Sequence, residues 1–405
     1  MTHHAETTIG RILASDGFRS AAEVLAREHD RTVADIIRLT EIEAPSFQEA
    51  TRAAIWHDMA KAHGLTDLEI DAAGNVTAMR RGIGNGPLIC VAAHLDTVFP
   101  AGTNVVVRRE GTKLFAPGIG DDTRSLAVLL AWVRAMDAAG IETRADILFV
   151  ADVGEEGTGD LRGVRHLFQT GPYKDRISQF ITVDSPNMDR IVTGGVGSKR
   201  YRVTFKAPGG HSYGAFGAVN PLFAMADAIS RLSRVPVPVE PRTTYSASVT
   251  GGGTSINSIP NAVWTEFDLR SESIDELDRL EQRFLDIVHA SVAAENDIRS
   301  THQGPVTIDI LRIGDRPAGH TSETHELVQF AKAAIEAKGF ETGFAASSTD
   351  ANIPMALGIP AIKIGSGGTG GREHSLEEWI DVEAETSLRG MEAGLATLLA
   401  AAGVL

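Results

Sequence analysis

The sequence predicts an α/β protein: a helix-covered, mostly parallel sheet interrupted by an inserted α+β domain of antiparallel strands and two helices. Three observations point there. In the first part of the chain, apolar runs that fit fully buried strands alternate with stretches of helical spacing. From residue 195 to 312 the strand-like segments alternate apolar and polar residues, the pattern of a sheet with one wet face. After residue 313 the first pattern returns. The expected division is therefore a larger domain of residues 1–194 and 313–405, with 195–312 inserted into it.

Taken in order, "RTVADIIRLTEI" and "EATRAAIWHDMAKAHG" repeat apolar residues at helical steps, and Gly64 supplies a stop. "LICVAAHLD" reads as a buried strand. A helix follows at "TRSLAVLLAWVRAMDAAG", with Leu126, Leu129, Leu130 and Val133 on one face. Asp121, Asp122 and Thr123 are capping types at its start, and Gly140 closes it. "ADILFVADV" and "QFITVDS" are two more strands with a helical segment between them. "SKRYRVTFKA", "YSASVTGG" and "NAVWTEFDLRS" are the alternating strands of the insertion, separated by helices at 219–234 and 274–294. The last part carries helices "THELVQFAKAAIEAKG" and "DANIPMALG", strand "PAIKIG", and a closing helix at 382–402.

Composition narrows the class. Apolar content of 43% and charged content of 22% fit a globular protein with a large core. A formal charge of -15 argues against nucleic acid or an anionic membrane as partner, since both reward clustered Lys and Arg. The single cysteine, Cys90, excludes an internal disulfide and falls in a strand as a small core residue. No basic segment followed by an apolar stretch opens the chain, and no apolar run reaches spanning length, so a cytoplasmic protein is expected. "GGVGSK" and "GGGTS" lack the spacing and context of a phosphate-binding loop.

Open α/β sheets bind ligands beyond the carboxyl ends of their strands. Here those ends gather the chemistry. "LICVAAHLD" ends at His94 and Asp96, "ADILFVADV" runs into Glu155 and Glu156, "QFITVDS" ends at Asp184, and "PAIKIG" leads to His374. Asp121 and Asp122 open a helix on the same rim. Taken singly, each has an ordinary explanation: a hydrogen-bonded His–Asp pair, a helix cap, a solvated turn. "HSLEE" looks like a capping box of Ser375 and Glu378. Independent caps and turns have no reason to share one rim, and histidines with carboxylates suit zinc, or Mn and Co. The acids outnumber one ion's needs, which favours two ions bridged by a carboxylate. The loop "GSGGTGGREHS" offers backbone N–H groups for a substrate carboxylate, and Arg372 either does the same or is a solvated loop charge.

The motifs "HLDTV", "GIGDDTRSLA", "GEEGTGDLRG", "VDS", "GGHSYGAFGAVNP", "TSINSIPNAVWTEFDLR" and "HSLEEW", in this order, resemble the M20 family of co-catalytic zinc peptidases and deacylases. The resemblance spans almost the whole chain. It implies that His94 binds one zinc with Asp96 orienting its ring, that Asp121 bridges, and that Asp184 completes the first ion's ligands. Glu156 and His374 would hold the second ion, and Glu155 would be the general base. A cis peptide is implied between Asp121 and Asp122. Where the family has lysine or methionine-lysine after the bridging acid, this chain has "DTR". The insertion resembles a lid and dimerisation domain, with His211 as the histidine that reaches an active site, typically the partner subunit's, to polarise the scissile carbonyl. Asn257 and Arg270 lie in motifs that, by the resemblance, contact substrate in relatives. The implied activity is cleavage of amide bonds in short di- and tripeptides by a homodimer with two zinc ions per subunit. Deacylation of N-acyl or N-carbamoyl amino acids is the alternative, and a non-catalytic binding protein the third reading.

Overall fold

The computed structural model describes residues 2–84 and 86–404; Met1, Asn85 and Leu405, which the expected domain bounds include, lie outside them. The chain divides into two compact units, residues 2–195 with 320–404, and residues 196–319. Residue 312, the expected end of the insertion, falls inside the strand Thr307–Arg316, which is continuous with the second unit's sheet.

The first unit is organised by a twisted sheet. Its strands run, side by side, Thr66–Ile70, Val76–Arg80, Asp146–Asp152, Leu88–His94, Ile177–Val183, Ala361–Ile364 and Arg190–Gly195, and Gly343–Ser347 also pairs with Arg190–Gly195. The four strands from Asp146–Asp152 to Ala361–Ile364 are parallel. Side chains of a strand point alternately to the two faces, and here both faces are covered. Ile89, Val91 and Ala93 enter one hydrophobic cluster, while Leu88, Cys90 and Ala92 enter the other. Ile147, Phe149 and Ala151 oppose Leu148 and Val150 in the same way. Double burial explains why these strands read as unbroken apolar runs.

The helix Arg124–Ala138 is buried all round from Arg124 to Met136, more than the single apolar face expected for it. It lies among the helices Asp16–Arg27, His29–Thr40 and Ala384–Ala402, and Trp132 Nε1 donates to Met391 O at 2.9 Å. Two N-terminal helices, Thr2–Ala14 and Asp16–Arg27, were not foreseen. Ser15 caps the second by accepting the Phe18 N–H. Between Asp146–Asp152 and Ile177–Val183 the expected helical segment forms, α-helical over Arg162–Arg165 and more widely wound over His166–Thr170. No described helix is long and apolar enough to cross a membrane.

The second unit carries a four-stranded antiparallel sheet in the order Thr243–Gly252, Ala262–Ser271, Gly197–Lys206, Thr307–Arg316. Along Ala262–Ser271 burial alternates residue by residue, with Val263, Phe267 and Leu269 inward. The helices Pro221–Leu232 and Ile274–Ile298 supply the opposing apolar face, where Phe284 packs on Phe267. Asn220 and Ser273 cap their N-termini.

Candidate metal centre

The site is built where the parallel strands end. Leu88–His94 delivers His94 fully buried, and the chain turns at once so that Asp96 Oδ1 and Oδ2 accept the backbone N–H groups of Glu155 (2.9 Å) and Glu156 (3.0 Å). Gly154, at φ +72°, lets the neighbouring strand's chain bend into that position without a Cβ in the way. One aspartate thus docks the "GEEG" turn against the histidine strand. Ser46 Oγ donates to the same carboxylate at 2.6 Å, a partner that no motif marks.

Asp121 sits at the centre of the donors. His94 Nε2 lies 2.9 Å from its Oδ1, and His374 Nε2 lies 3.1 Å from its Oδ2. His374 Nε2 is also 2.9 Å from Glu156 Oε1. Each oxygen of one carboxylate therefore faces a different histidine. Among the described residues, donor atoms lie within 4.8 Å of one another inside each of two groups: His94, Asp121 and Glu156, and His94, Asp122 and Asp184. Imidazole nitrogens with carboxylate oxygens are the donors that zinc and similar divalent ions take. Glu155 is in neither group, although it is buried beside them.

His374 is brought in by a small antiparallel sheet. Its hairpin strands are Thr369–Gly371 and Trp379–Asp381, and Trp379–Asp381 pairs with Lys113–Phe115, shortly before the Asp121 loop. His374, Arg372 and, beside Asp184, Ser185 adopt positive φ near +60°. Such conformations are sparsely populated for residues with a Cβ and persist where surrounding contacts fix them.

Several expectations need correction. Asp121 and Asp122 do not cap the following helix; both have non-helical backbone angles, and the peptide between them is cis. Asp122 Oδ2 instead accepts the His94 backbone N–H at 3.1 Å. Ser375 and Glu378 form no capping box, since no helix follows; the Glu378 carboxylate turns inward to the Gly118–Asp121 loop. In the glycine-rich loop, the N–H groups of Ser366, Gly367 and Gly370 are already taken by Ser185, Pro186 and Asn187. Arg372 is exposed in that loop.

The charges are strongly coupled. Burial pulls His94 down, but Asp121 and Asp96 outweigh it and hold the imidazole well above its usual range. Burial pushes Asp121 up, yet His374 and His94 bring it below the ordinary carboxylate range. His374 is raised to about 11 by its hydrogen bonds to Asp121 and Glu156. Metal-free, the centre is thus a set of ion pairs whose positive partners are the imidazoles. Burial drives Asp122 well above its normal range, with Asp184 and Asp121 adding to it. Two further buried acids, Asp152 and Asp350, were not anticipated. Burial raises both, Asp152 to about 6 against a hydrogen bond from Asp350 that pulls it down, while the charges of Asp152 and Glu155 push Asp350 further up. Asp152 falls in phase with Leu148 and Val150 along its strand, a period-two signal that could have marked it as inward-facing.

In the second unit, Gly210–His211 pairs with Ser258–Ile259, and Ser212 N–H donates to Asn257 O at 2.9 Å. His211 and Asn257 are therefore neighbours, both exposed. His211 Nδ1 accepts from the backbone N–H groups of Tyr213 (3.2 Å) and Gly214 (3.3 Å), which leaves Nε2 as the protonated nitrogen. Arg270 is not with them. It lies eight residues along the strand from Ala262, on the order of 26 Å at strand rise. There it pairs with Asp268 at 2.7 Å, opposite Ser198 near the start of the unit.

An α/β unit with a histidine–carboxylate cluster at its strand ends, together with an α+β insertion, defines a class of two-domain proteins with a candidate metal centre. A profile of peptidase family M20/M25/M40 matches residues 90–401, and the chain belongs to that family. A succinyl-diaminopimelate desuccinylase from Leptothrix cholodnii is 26% identical over 247 residues, 56% of this chain. The match spans 62% of that relative, less than two thirds of its length. In fold, a tripeptidase from Staphylococcus aureus is similar with a TM-score of 0.75 at 18% identity, covering 92% of this chain and 99% of its own. The YXEP protein of Bacillus subtilis, described as a dinuclear metal-binding peptidase of the M20 family, gives 0.68 at 18% identity, covering 92% and 99%.

Proposed function

We propose that the chain hydrolyses amide bonds in short peptides, with two divalent ions per subunit, zinc or else Mn or Co, and Glu155 as general base. The observation that carries this reading is Asp121, with one oxygen toward each histidine, while Glu155 stays outside both donor groups. His94, Asp121 and Asp184 would hold one ion, and Asp121, Glu156 and His374 the other, with Asp96 fixing the His94 ring from Nδ1. When bound, two such ions supply an acidified water and an electrophile for the carbonyl.

The protein's own groups do the rest. Glu155 takes the proton of the attacking water and delivers it to the leaving nitrogen, the task of a base that turns acid. His211, protonated at Nε2, donates to the oxygen on which negative charge develops. Asn257 lies beside it for substrate contact, and Arg372, exposed in the loop that carries His374, is the cation for a substrate carboxylate; Arg270, paired with Asp268, is left without a part in that contact. The reading includes a cytoplasmic homodimer formed through the second unit.

Likeness in fold to a tripeptidase supports peptides as substrate, and similarity to a desuccinylase favours N-acyl amino acids as the second reading. Purified protein with zinc or manganese, tested on di- and tripeptides and on N-acyl and N-carbamoyl amino acids, separates them. Turnover of peptides is expected. Turnover of N-acyl substrates alone would replace the first reading by the second. No turnover with two bound ions would leave a binding protein.

A further inference from the structure

The side chain that grips the centre most firmly takes no part in the chemistry above. Glu378 is fully buried, four residues beyond His374. Its Oε1 accepts the backbone N–H groups of Gly120 at 2.7 Å and Asp121 at 2.9 Å, and its Oε2 accepts that of Gly118 at 2.9 Å. Three donors of one loop thus converge on one carboxylate from a distant part of the chain. Its backbone is tied at the same time. Glu378 N–H donates to Ser375 O at 3.1 Å, inside the His374 turn, and Glu378 O accepts Ala116 N–H at 3.1 Å.

The loop comes close enough that little else fits. A Cβ added at Gly120 would lie 3.3 Å from Glu378 Oε1 and 3.1 Å from Ile380 Cγ2. Burial and the Asp121 charge work against the ionised form of Glu378, and its three N–H partners are what favour it. Those bonds orient the peptide plane leading into Asp121, and that plane sets where the Asp121 carboxylate points.

We propose that Glu378 is a positioning residue: it holds Asp121 in the pose in which each oxygen meets a different histidine, and it ties that pose to the turn carrying His374. The inference rests on the two-ion reading of the centre. If it holds, the two ion positions assemble as one unit, because one residue bonds both ligand-bearing loops, the Asp121 loop through its side chain and the His374 turn through its backbone.

The test is titration of metal-free protein with cobalt(II) chloride, followed by calorimetry and by visible absorption, for wild type, Glu378→Gln and Gly120→Ala. Wild type should take up two ions per chain; fewer would overturn the centre itself, whatever the variants do. With wild type at two, Glu378→Gln should weaken binding roughly 10- to 100-fold, the usual effect of losing a group that orients ligands. Its absorption band should change as well. Gly120→Ala, which crowds the same cradle from the other side, should shift both readouts in the same direction by less. Variants that bind two ions with wild-type affinity and an unchanged band would overturn the inference, even if they melt earlier. Should Glu378→Gln fail to fold, the Gly120→Ala titration decides alone.

Discussion

His94 and Asp121 in the first unit are each held by at least two hydrogen bonds from separate stretches of chain, whereas the His211 ring in the second bonds, among the described residues, within its own loop. His94 is tied to Asp96, Asp121 and Asp122, and Asp121 to Glu378 and both histidines. His211 stands on a two-residue strand, exposed, with its Nδ1 bonded two and three residues away. The contrast teaches a division of labour. A preorganised centre needs groups fixed before substrate arrives, and a group that must meet a developing charge needs only the right tautomer and freedom to approach.

The largest expected effect comes from the two adjacent glutamates. Glu155→Gln should lower kcat by about 10²- to 10⁴-fold, the range for losing a general base, while metal content by mass spectrometry stays at the wild-type value. Glu156→Gln should instead lower the number of bound ions. Identical metal content and identical losses in both variants would erase the distinction drawn between them. Next, His211→Ala should cost roughly 10²- to 10³-fold in kcat, as for other oxyanion donors, with both ions retained. A near-normal rate would show that the exposed histidine has no part in turnover.

A smaller effect separates the regions by pH. In metal-free protein His374 is held at about 11, against about 6.5 in the unfolded chain. A group raised on folding stabilises fully below its unfolded value and loses that contribution as pH rises through the folded one. The melting temperature of metal-free protein should therefore decline between pH 6.5 and 11 through this group, modestly, since its side chain is 56% exposed. Metal uptake at pH 7 should also release protons, visible as buffer-dependent calorimetric heats. Heats independent of buffer would contradict the charged imidazole. The smallest change is Ser46→Ala, which removes a donor to Asp96 and should cost about 1.5 kcal/mol in urea unfolding without altering metal content.

The parallel sheet and its ligand-bearing ends were legible because double burial leaves apolar runs and because strand ends are where such folds place chemistry. His94, Asp121, Glu156 and His374 converge as their positions on that rim suggested. What stayed hidden shares one cause: an acid in a polar stretch reads as surface or cap. Glu378 looked like half of a capping box and is a buried acceptor; Asp122 looked like a cap and accepts the His94 N–H. Glu378 is brought inward by a hairpin paired across more than 250 residues, which no local pattern carries. The helix Thr2–Ala14 was missed for a different reason: its buried face is only Ala5, Ile9 and Ile12, too sparse to stand out. Arg270 shared a motif with Asn257 but lies far along the strand, because sequence proximity in a β-strand is distance.

The central claim is that one carboxylate, Asp121, joins two ions while Glu155 remains unligated beside them. A crystal structure of zinc-loaded protein, with zinc located by its anomalous scattering, tests it most directly. The account predicts two zinc sites per chain about 3.5–4 Å apart, both bonded to Asp121, with Glu156 on one and Glu155 on neither. A single site, or Glu155 bonded to zinc, would contradict it.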